Sequence, residues 1–230
     1  MAYPLQTTTE MNDTIDSGAT GAVAQGAVWL PLFPLNAVLF PDGIMPLRIF
    51  EARYIDMVRS CMRREVPFGV VLLKSGSENG HGAQPENVGC IAHITSWDMP
   101  QFGLLQLRTR GGSRFRIHAT RRDATDRLEG RIELIGADAP APITGIHLEC
   151  ARTLKLIIDD LDRRQASGRE HPGDSPFSLP IRLDDCAWVA DRWSEILPIP
   201  LKAKQTLLEL ENGESRLEIV YRFLQDHEVL

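Results

Sequence analysis

The feature that most constrains the fold is an apolar stretch at positions 26–47 that is interrupted by prolines. Asn36 and Asp42 carry its only polar side chains, so its length and hydropathy alone would suit a membrane-spanning helix. Prolines stand at positions 31, 34, 41 and 46, and each removes a backbone N–H and breaks a continuous helix. We therefore predict buried extended chain with turns in this stretch, and no membrane segment.

The hydrophobic periodicity divides the remainder into a β-rich half and an α-rich half. Apolar or alternating runs of strand length lie at 29–35, 45–49, 68–73, 90–94, 104–109, 114–118 and 131–135, with one helix among them at 51–64. After a Pro-rich break at 137–142, apolar residues recur every three to four positions within 148–161, 184–196, 201–210 and 217–224. The polar segments 75–87 and 165–176 predict loops.

These patterns predict an α+β protein with three parts. Residues 1–28 contain no Lys or Arg and show no apolar periodicity, which is typical of a disordered arm and excludes a secretory signal. Residues 29–140 are expected to form an antiparallel β-domain, and residues 141–230 a helical subdomain.

Charge and cysteine content exclude several classes of function. The formal net charge of -6 argues against a protein whose main task is to neutralise phosphates. The cysteines at 61, 90, 150 and 186 form no Cys-x-x-Cys pair, and the six histidines form no His-x-x-x-His or His-Glu-x-x-His motif. We expect reduced, packed thiols in a cytoplasmic protein, with no metal site, no cofactor and no catalytic residue.

The chain nevertheless contains one strongly basic segment. Residues 104–131 hold eight arginines and three acidic residues. Within it Arg108 and Arg110, and then Arg114 and Arg116, are two apart, so each pair would project from one face of a strand. We expect a hairpin at Gly111-Gly112 to bring the two pairs side by side. Such a face could bind an anion or a polypeptide, or it could be a solvated strand face offset by nearby acids such as Asp123, Asp126 and Glu129.

Several short motifs, in this order, resemble the amino-terminal substrate-binding domain of Lon proteases. They are LPLFPL at 30–35, Phe40-Pro41, PLRIFEARY at 46–54, VGCIAHI at 88–94, RFRI at 114–117, LPIP at 197–200, KQTLLE at 204–209 and Arg216-Leu217. The resemblance covers about residues 29–227 and implies a PUA-like antiparallel β-domain followed by a helical bundle. This agrees with the division that periodicity gives independently.

The resemblance also implies a function, and it directs attention to two motifs that the sequence lacks. The 230 residues contain no Gly-Lys dipeptide for a nucleotide-binding loop and no Gly-x-Ser-x-Gly for a nucleophile elbow. We therefore expect a stand-alone, non-enzymatic module that binds unfolded or exposed polypeptide segments through shallow apolar contacts and β-edge pairing. It would act as an adaptor or regulator of proteolysis, with a protease or chaperone recruited in trans and no membrane partner.

Two alternatives stay open at this point. PUA-like folds elsewhere bind RNA, and the four arginines at 108, 110, 114 and 116 could contact phosphates, although the acidic net charge and the lack of exposed interleaved aromatic residues disfavour nucleic acid. A hydrolase or transferase with an unrecognised site is the other alternative, but no motif assembles a nucleophile and a base.

Overall fold

The computed structural model describes residues 28–76, 82–167 and 175–230, which contain six strands and five α-helices. The strands are β1 Val28–Leu35, β2 Ile44–Ile49, β3 Phe68–Ser75, β4 Gln84–Gln101, β5 Leu104–Arg122 and β6 Leu128–Leu134. The helices are α1 Ala52–Arg64, α2 Leu148–Ala166, α3 Cys186–Ile196, α4 Leu201–Glu209 and α5 Gly213–Asp226. The disordered arm predicted for 1–28 lies outside the described residues up to position 27.

The six strands form one strongly curved sheet in the order β2-β5-β4-β3-β1-β6, and β5 also pairs with β6. This extra pairing closes β5, β4, β3, β1 and β6 into a barrel, and leaves β2 attached to β5 alone among the described strands. The pairings are antiparallel except that β1 and β3 run parallel. A parallel pair needs a long crossover connection, and β2 and α1 form it here. The α+β fold expected from the sequence is thus confirmed.

Strand β5 differs from the prediction of a hairpin at Gly111-Gly112. The two predicted runs, at 104–109 and 114–118, belong to one continuous 19-residue strand. A Cβ on Gly111 would lie 1.9 Å from the carbonyl oxygen of Phe40, and the Gly111 amide donates to Gly43 at 2.8 Å. The glycine is there because the 40–43 turn lies directly on the strand, and not because the chain reverses. The actual reversal is at Phe102-Gly103, where Gly103 has φ +82°.

Each half of the chain has its own hydrophobic core. In the β-half, Tyr54, Met57 and Val58 of α1 pack on the inner residues of the sheet, while Leu32 and Phe115 are among the residues that fill the barrel. In the helical half the buried core includes Leu154, Trp188, Val189, Trp193, Leu217 and Leu224. A smaller cluster of Phe40, Val88, Leu207 and Leu208 packs α4 onto the outside of the barrel, so the two halves share a buried interface.

The proline-rich stretch adopts the extended conformation expected of it. Strands β1 and β2 account for most of residues 28–49, and a turn with Asp42 at φ +59° connects them. No helix within the described residues is long and apolar enough to cross a membrane.

Candidate functional site

The four arginines singled out by the sequence all lie on β5, and each has a partner within the protein. Arg108 donates to the Ser175 carbonyl oxygen at 2.5 Å, and Arg110 forms an ion pair with Asp42 at 2.6 Å. Arg116, which is exposed, pairs with Glu211 at 3.0 Å. The acids predicted to offset them are used elsewhere: Asp123 pairs with Arg127, Asp126 with Arg122 and Arg53, and Glu129 with Arg121.

Arg114 differs from the other three arginines in burial, because its side chain is only 3% exposed. It forms a 2.5 Å ion pair with Asp138 and donates to the carbonyl oxygens of Leu208 and Leu210. Asp138 also accepts from Arg216 at 2.9 Å, and Arg216 in turn pairs with Asp191 at 2.8 Å. We call these four residues, Arg114, Asp138, Asp191 and Arg216, the buried ion cluster.

The buried ion cluster joins the β-half to the helical half. Arg114 comes from the barrel, Asp138 from the segment after β6, Asp191 from α3 and Arg216 from α5. Burial raises the pKa of Asp191 to about 6, although Arg216 and Arg192 oppose that shift. Breaking such a cluster by removing one cation would leave an uncompensated buried charge, which costs several kcal/mol. The arrangement of the buried ion cluster is therefore suited to holding the helical half in place against the β-half.

A second ion pair, whose carboxylate is partly exposed, lies at the same interface. Arg192 of α3 is fully buried, pairs with Glu195 at 2.9 Å and donates to the Pro41 carbonyl oxygen at 2.6 Å. A Cβ on Gly43 would lie 1.8 Å from a carboxylate oxygen of Glu195, so a larger residue in the 40–43 turn would displace that side chain. Burial raises the pKa of Glu195 to about 8, against the opposing effect of Arg192. The hydrogen bond from Arg192 to Pro41 also fastens the helical half to the β-half.

A solvent-facing groove lies where α1 ends and β3 begins. The groove has a volume of about 380 Å³, and its lining combines the end of α1, the residues before β3 and the middle of β4. The lining residues are Cys61, Met62, Glu65, Val66, Pro67, His93, Ile94 and Trp97. We call it the β4 groove. Trp97 is 57% exposed and Val66 is 36% exposed, so two apolar walls of the groove face solvent.

A β-bulge positions the side chains of this groove. Ile94 pairs with Thr109 and Ser96 with Arg108, so Thr95 is the extra residue on β4. Residues three apart in a regular strand point to opposite faces, but the bulge adds one residue and lets Ile94 and Trp97 line the same groove. The sequence pattern predicts a strand that ends at Ile94 and does not single out Trp97. The signal that could have indicated it is an isolated tryptophan in a polar run, Thr95-Ser96-Trp97-Asp98.

One edge of β4 is also open beside the groove. Strand β3 starts at Phe68, which pairs with Ala92, whereas β4 continues to Gln101 and pairs there with β5. On the side away from β5, no strand of the described residues pairs with His93–Asp98. An unpaired edge offers backbone donors and acceptors to an extended polypeptide.

The described residues supply no cluster of three or more His, Cys, Asp or Glu side chains that could hold a metal ion. All four cysteines are buried, as the sequence predicted, and burial raises the pKa of each thiol. Cys61 lines the β4 groove but is therefore a packed thiol rather than an activated nucleophile.

Comparison with known proteins agrees with the sequence resemblance. The family model described as the ATP-dependent protease La (LON) substrate-binding domain matches residues 29–226. The solved Lon N-terminal domain protein from Xanthomonas campestris is 30% identical, with a TM-score of 0.67 over 84% of this chain and 96% of that chain. The N-terminal domain of the Mycobacterium avium complex Lon protease, 18% identical with a TM-score of 0.56 over 87% of this chain and 100% of that chain, shares the fold.

Curated relatives match over a similar share of this chain. Lon protease 2 of Myxococcus xanthus is 24% identical over 208 aligned positions, and the match covers 85% of this chain and 23% of that protein. Lon protease 1 of Bdellovibrio bacteriovorus is 29% identical over 209 aligned positions, and the match covers 83% of this chain and 25% of that protein. The chain thus spans about a quarter of the length of the curated relatives it matches.

Proposed function

We propose that this chain, which belongs to the family of Lon substrate-binding domains, binds unfolded or exposed polypeptide segments in the β4 groove. The observation that carries the proposal is an apolar groove with Trp97 and Val66 exposed to solvent on a domain of this family. Exposed aromatic and aliphatic side chains that converge on a concave surface are typical of protein-binding sites.

The binding is proposed to be non-enzymatic. Among the described residues no metal cluster is available, and the groove contains a buried thiol whose pKa is raised rather than lowered. The module would deliver clients to proteolysis as an adaptor or regulator, with an ATPase and a peptidase supplied by another protein or by another part of a longer chain. We place this activity in the cytoplasm, where reduced buried cysteines are normal.

The β4 groove favours polypeptide over nucleic acid. Its lining includes the carboxylate of Glu65 and neither Lys nor Arg, so it offers phosphates no cation. The arginines of β5 give RNA binding little support, because Arg114 is buried and Arg108, Arg110 and Arg116 already have partners within the protein.

A competition titration tests the proposal. A fluorescent polypeptide kept unfolded by reduction and alkylation would be titrated with the protein at 50 mM and 500 mM salt, and competed with the same polypeptide in its folded form or with a structured RNA. We expect saturable binding that changes little with salt and is competed by unlabelled unfolded chain only, since apolar contacts and backbone hydrogen bonds are weakly screened. Tight, steeply salt-dependent RNA binding without polypeptide binding would contradict the proposal.

A further inference from the structure

The open edge of β4 lets the groove select a bound polypeptide by its backbone conformation, which apolar contacts alone would not do. His93–Asp98 pairs on one side with β5 between Gln106 and Arg110, and no strand of the described residues pairs with its other side. On either side of the bulge at Thr95, alternate residues of this edge present their N–H and C=O outward. The edge can therefore hydrogen-bond an extended chain but cannot bond a helix, whose backbone groups are already satisfied.

The groove lies along this same edge. His93, Ile94 and Trp97 of β4 form one side of it, and the opposite side comes from the end of α1 and the residues that lead into β3. A strand added to β4 would therefore continue the sheet at the place that β3 leaves empty beyond Phe68. Side chains on one face of that added strand would enter the groove between Trp97 and Val66.

The lining further restricts the side chains that can enter. Met62, Val66, Pro67, Ile94 and Trp97 are apolar, and Glu65 is the carboxylate at the groove. An acidic side chain would lose its hydration and meet Glu65, whereas an aliphatic or aromatic side chain would bury apolar area against Trp97.

We infer that clients bind as an added β-strand along His93–Asp98, with apolar side chains at alternate positions in the β4 groove. This inference deepens the proposed function and rests on it. The substrate class is an extended, β-competent segment with apolar residues at i and i+2 and no proline where the edge requires an N–H. Helical and strongly acidic segments are excluded from the class.

Backbone N-methylation tests the strand geometry without changing any side chain. The probe is a fluorescent seven-residue peptide in which valine and leucine alternate with threonine and lysine, and two derivatives carry N-methyl groups at the odd or at the even residues. An added strand donates from every second residue to its partner edge, so one derivative loses its hydrogen bonds and the other keeps them. We expect one derivative to bind at least tenfold more weakly than the parent, and the other to bind within about threefold of it.

The outcomes separate this inference from the proposed function. If neither the parent peptide nor an unfolded protein binds, the proposed function is wrong and the inference falls with it. If the parent binds and both methylated derivatives bind equally well, polypeptide binding stands but the added strand is wrong. If the free protein is a dimer held through His93–Asp98 and the peptide binds without dissociating it, a second copy occupies the edge and the inference is overturned.

Two variants on the β4–β5 hairpin locate the site. Trp97→Ala removes an exposed wall of the groove, and we expect it to weaken peptide binding at least tenfold while the melting temperature stays within about 2 °C. Phe102→Ala is the matched control, because Phe102 is a fully exposed aromatic at the tip of the same hairpin and does not line the groove. Equal weakening by both variants would move the site to the hairpin tip and contradict the inference.

Discussion

The buried ion cluster and the β4 groove differ in chemistry and in location. The cluster is charged and buried, whereas the groove is largely apolar and faces solvent. In the cluster, four charged side chains are hidden between the two halves of the chain, and every carboxylate contacts at least one arginine. In the groove, apolar side chains including a tryptophan face solvent next to an unpaired strand edge. Charge is thus used for internal positioning, while apolar surface is left for a partner.

The contrast matters for interpreting charged motifs in a sequence. A row of arginines on a strand suggests a surface that binds anions, yet Arg114 serves as a structural contact because the Asp138 carboxylate and two carbonyl oxygens of the helical half surround it. A buried cation with several acceptors is held in one geometry, which fixes the angle between two subdomains. A surface is available to bind another molecule where its polar and apolar groups are not already paired or packed within the protein.

Removal of the helical half would test the comparison most severely. Truncation after residue 140 exposes Phe40 and Val88, which Leu207 and Leu208 cover, and leaves Arg114 without two of its carbonyl acceptors. We expect residues 28–140 alone to lose a cooperative thermal transition measured by circular dichroism. A melt equal to that of the full chain would show that the halves are independent and that the cluster contributes little.

Substitution of Arg216 tests the cluster itself. Arg216→Ala leaves Asp138 and Asp191 buried with a reduced countercharge, so we expect a loss of about 3–5 kcal/mol in the free energy of unfolding measured in urea. Arg116→Ala is the matched control from the exposed pair with Glu211, and should cost within about 1 kcal/mol. Similar losses for the two variants would mean that burial does not distinguish the pairs.

The Glu195 carboxyl gives the interface a pH dependence with a defined sign. Its pKa in the folded protein is raised from 4.5 to about 8, so its stabilising contribution is fully present below pH 4.5 and is lost as pH rises through 8. Glu195→Gln should remove this fall, which is at most about 1.4 kcal/mol per pH unit, from urea unfolding profiles recorded between pH 5 and 8. The readout is the difference in slope between variant and wild type.

A control for this pH profile is available on the exposed surface. Glu211→Gln removes a carboxylate of the same type from a solvent-exposed pair, so it controls for the loss of one negative charge. If Glu195→Gln changed the slope no more than Glu211→Gln does, the interface would not be the source of the pH dependence.

The smallest effect is expected at the partly exposed arginines of β5. The double variant Arg108→Gln/Arg110→Gln should change the affinity for unfolded polypeptide by less than about threefold, because neither side chain lines the β4 groove. If these arginines instead bind RNA phosphates, the same variant should weaken RNA binding on every sequence and reduce the salt slope by about one unit for each lost contact. Titrations at two salt concentrations distinguish the two outcomes.

The sequence by itself determined the class of fold and the order of its parts. The apolar stretch interrupted by prolines predicts β1 and β2, and the helical periodicity predicts α1 to α5. Motifs spread over residues 29–227 indicate the family. These features depend on spacing along the chain, since a strand or an amphipathic helix repeats its apolar positions locally. The ends of the elements are predicted less accurately than their order, since β4 extends well beyond the predicted 90–94 at both ends.

Only the tertiary structure decided which residues are free to bind. Arg114 is buried because Leu208, 94 residues away, meets it across the interface and Asp138 contacts it from the segment after β6. No local sequence pattern records either contact. Gly111 looked like a hairpin residue because the approach of Phe40 to β5 is invisible in the sequence. The β4 groove likewise requires a bulge at Thr95 and the late start of β3 at Phe68. Burial and strand pairing depend on contacts between distant residues, so the binding surface appears only when the chain is folded.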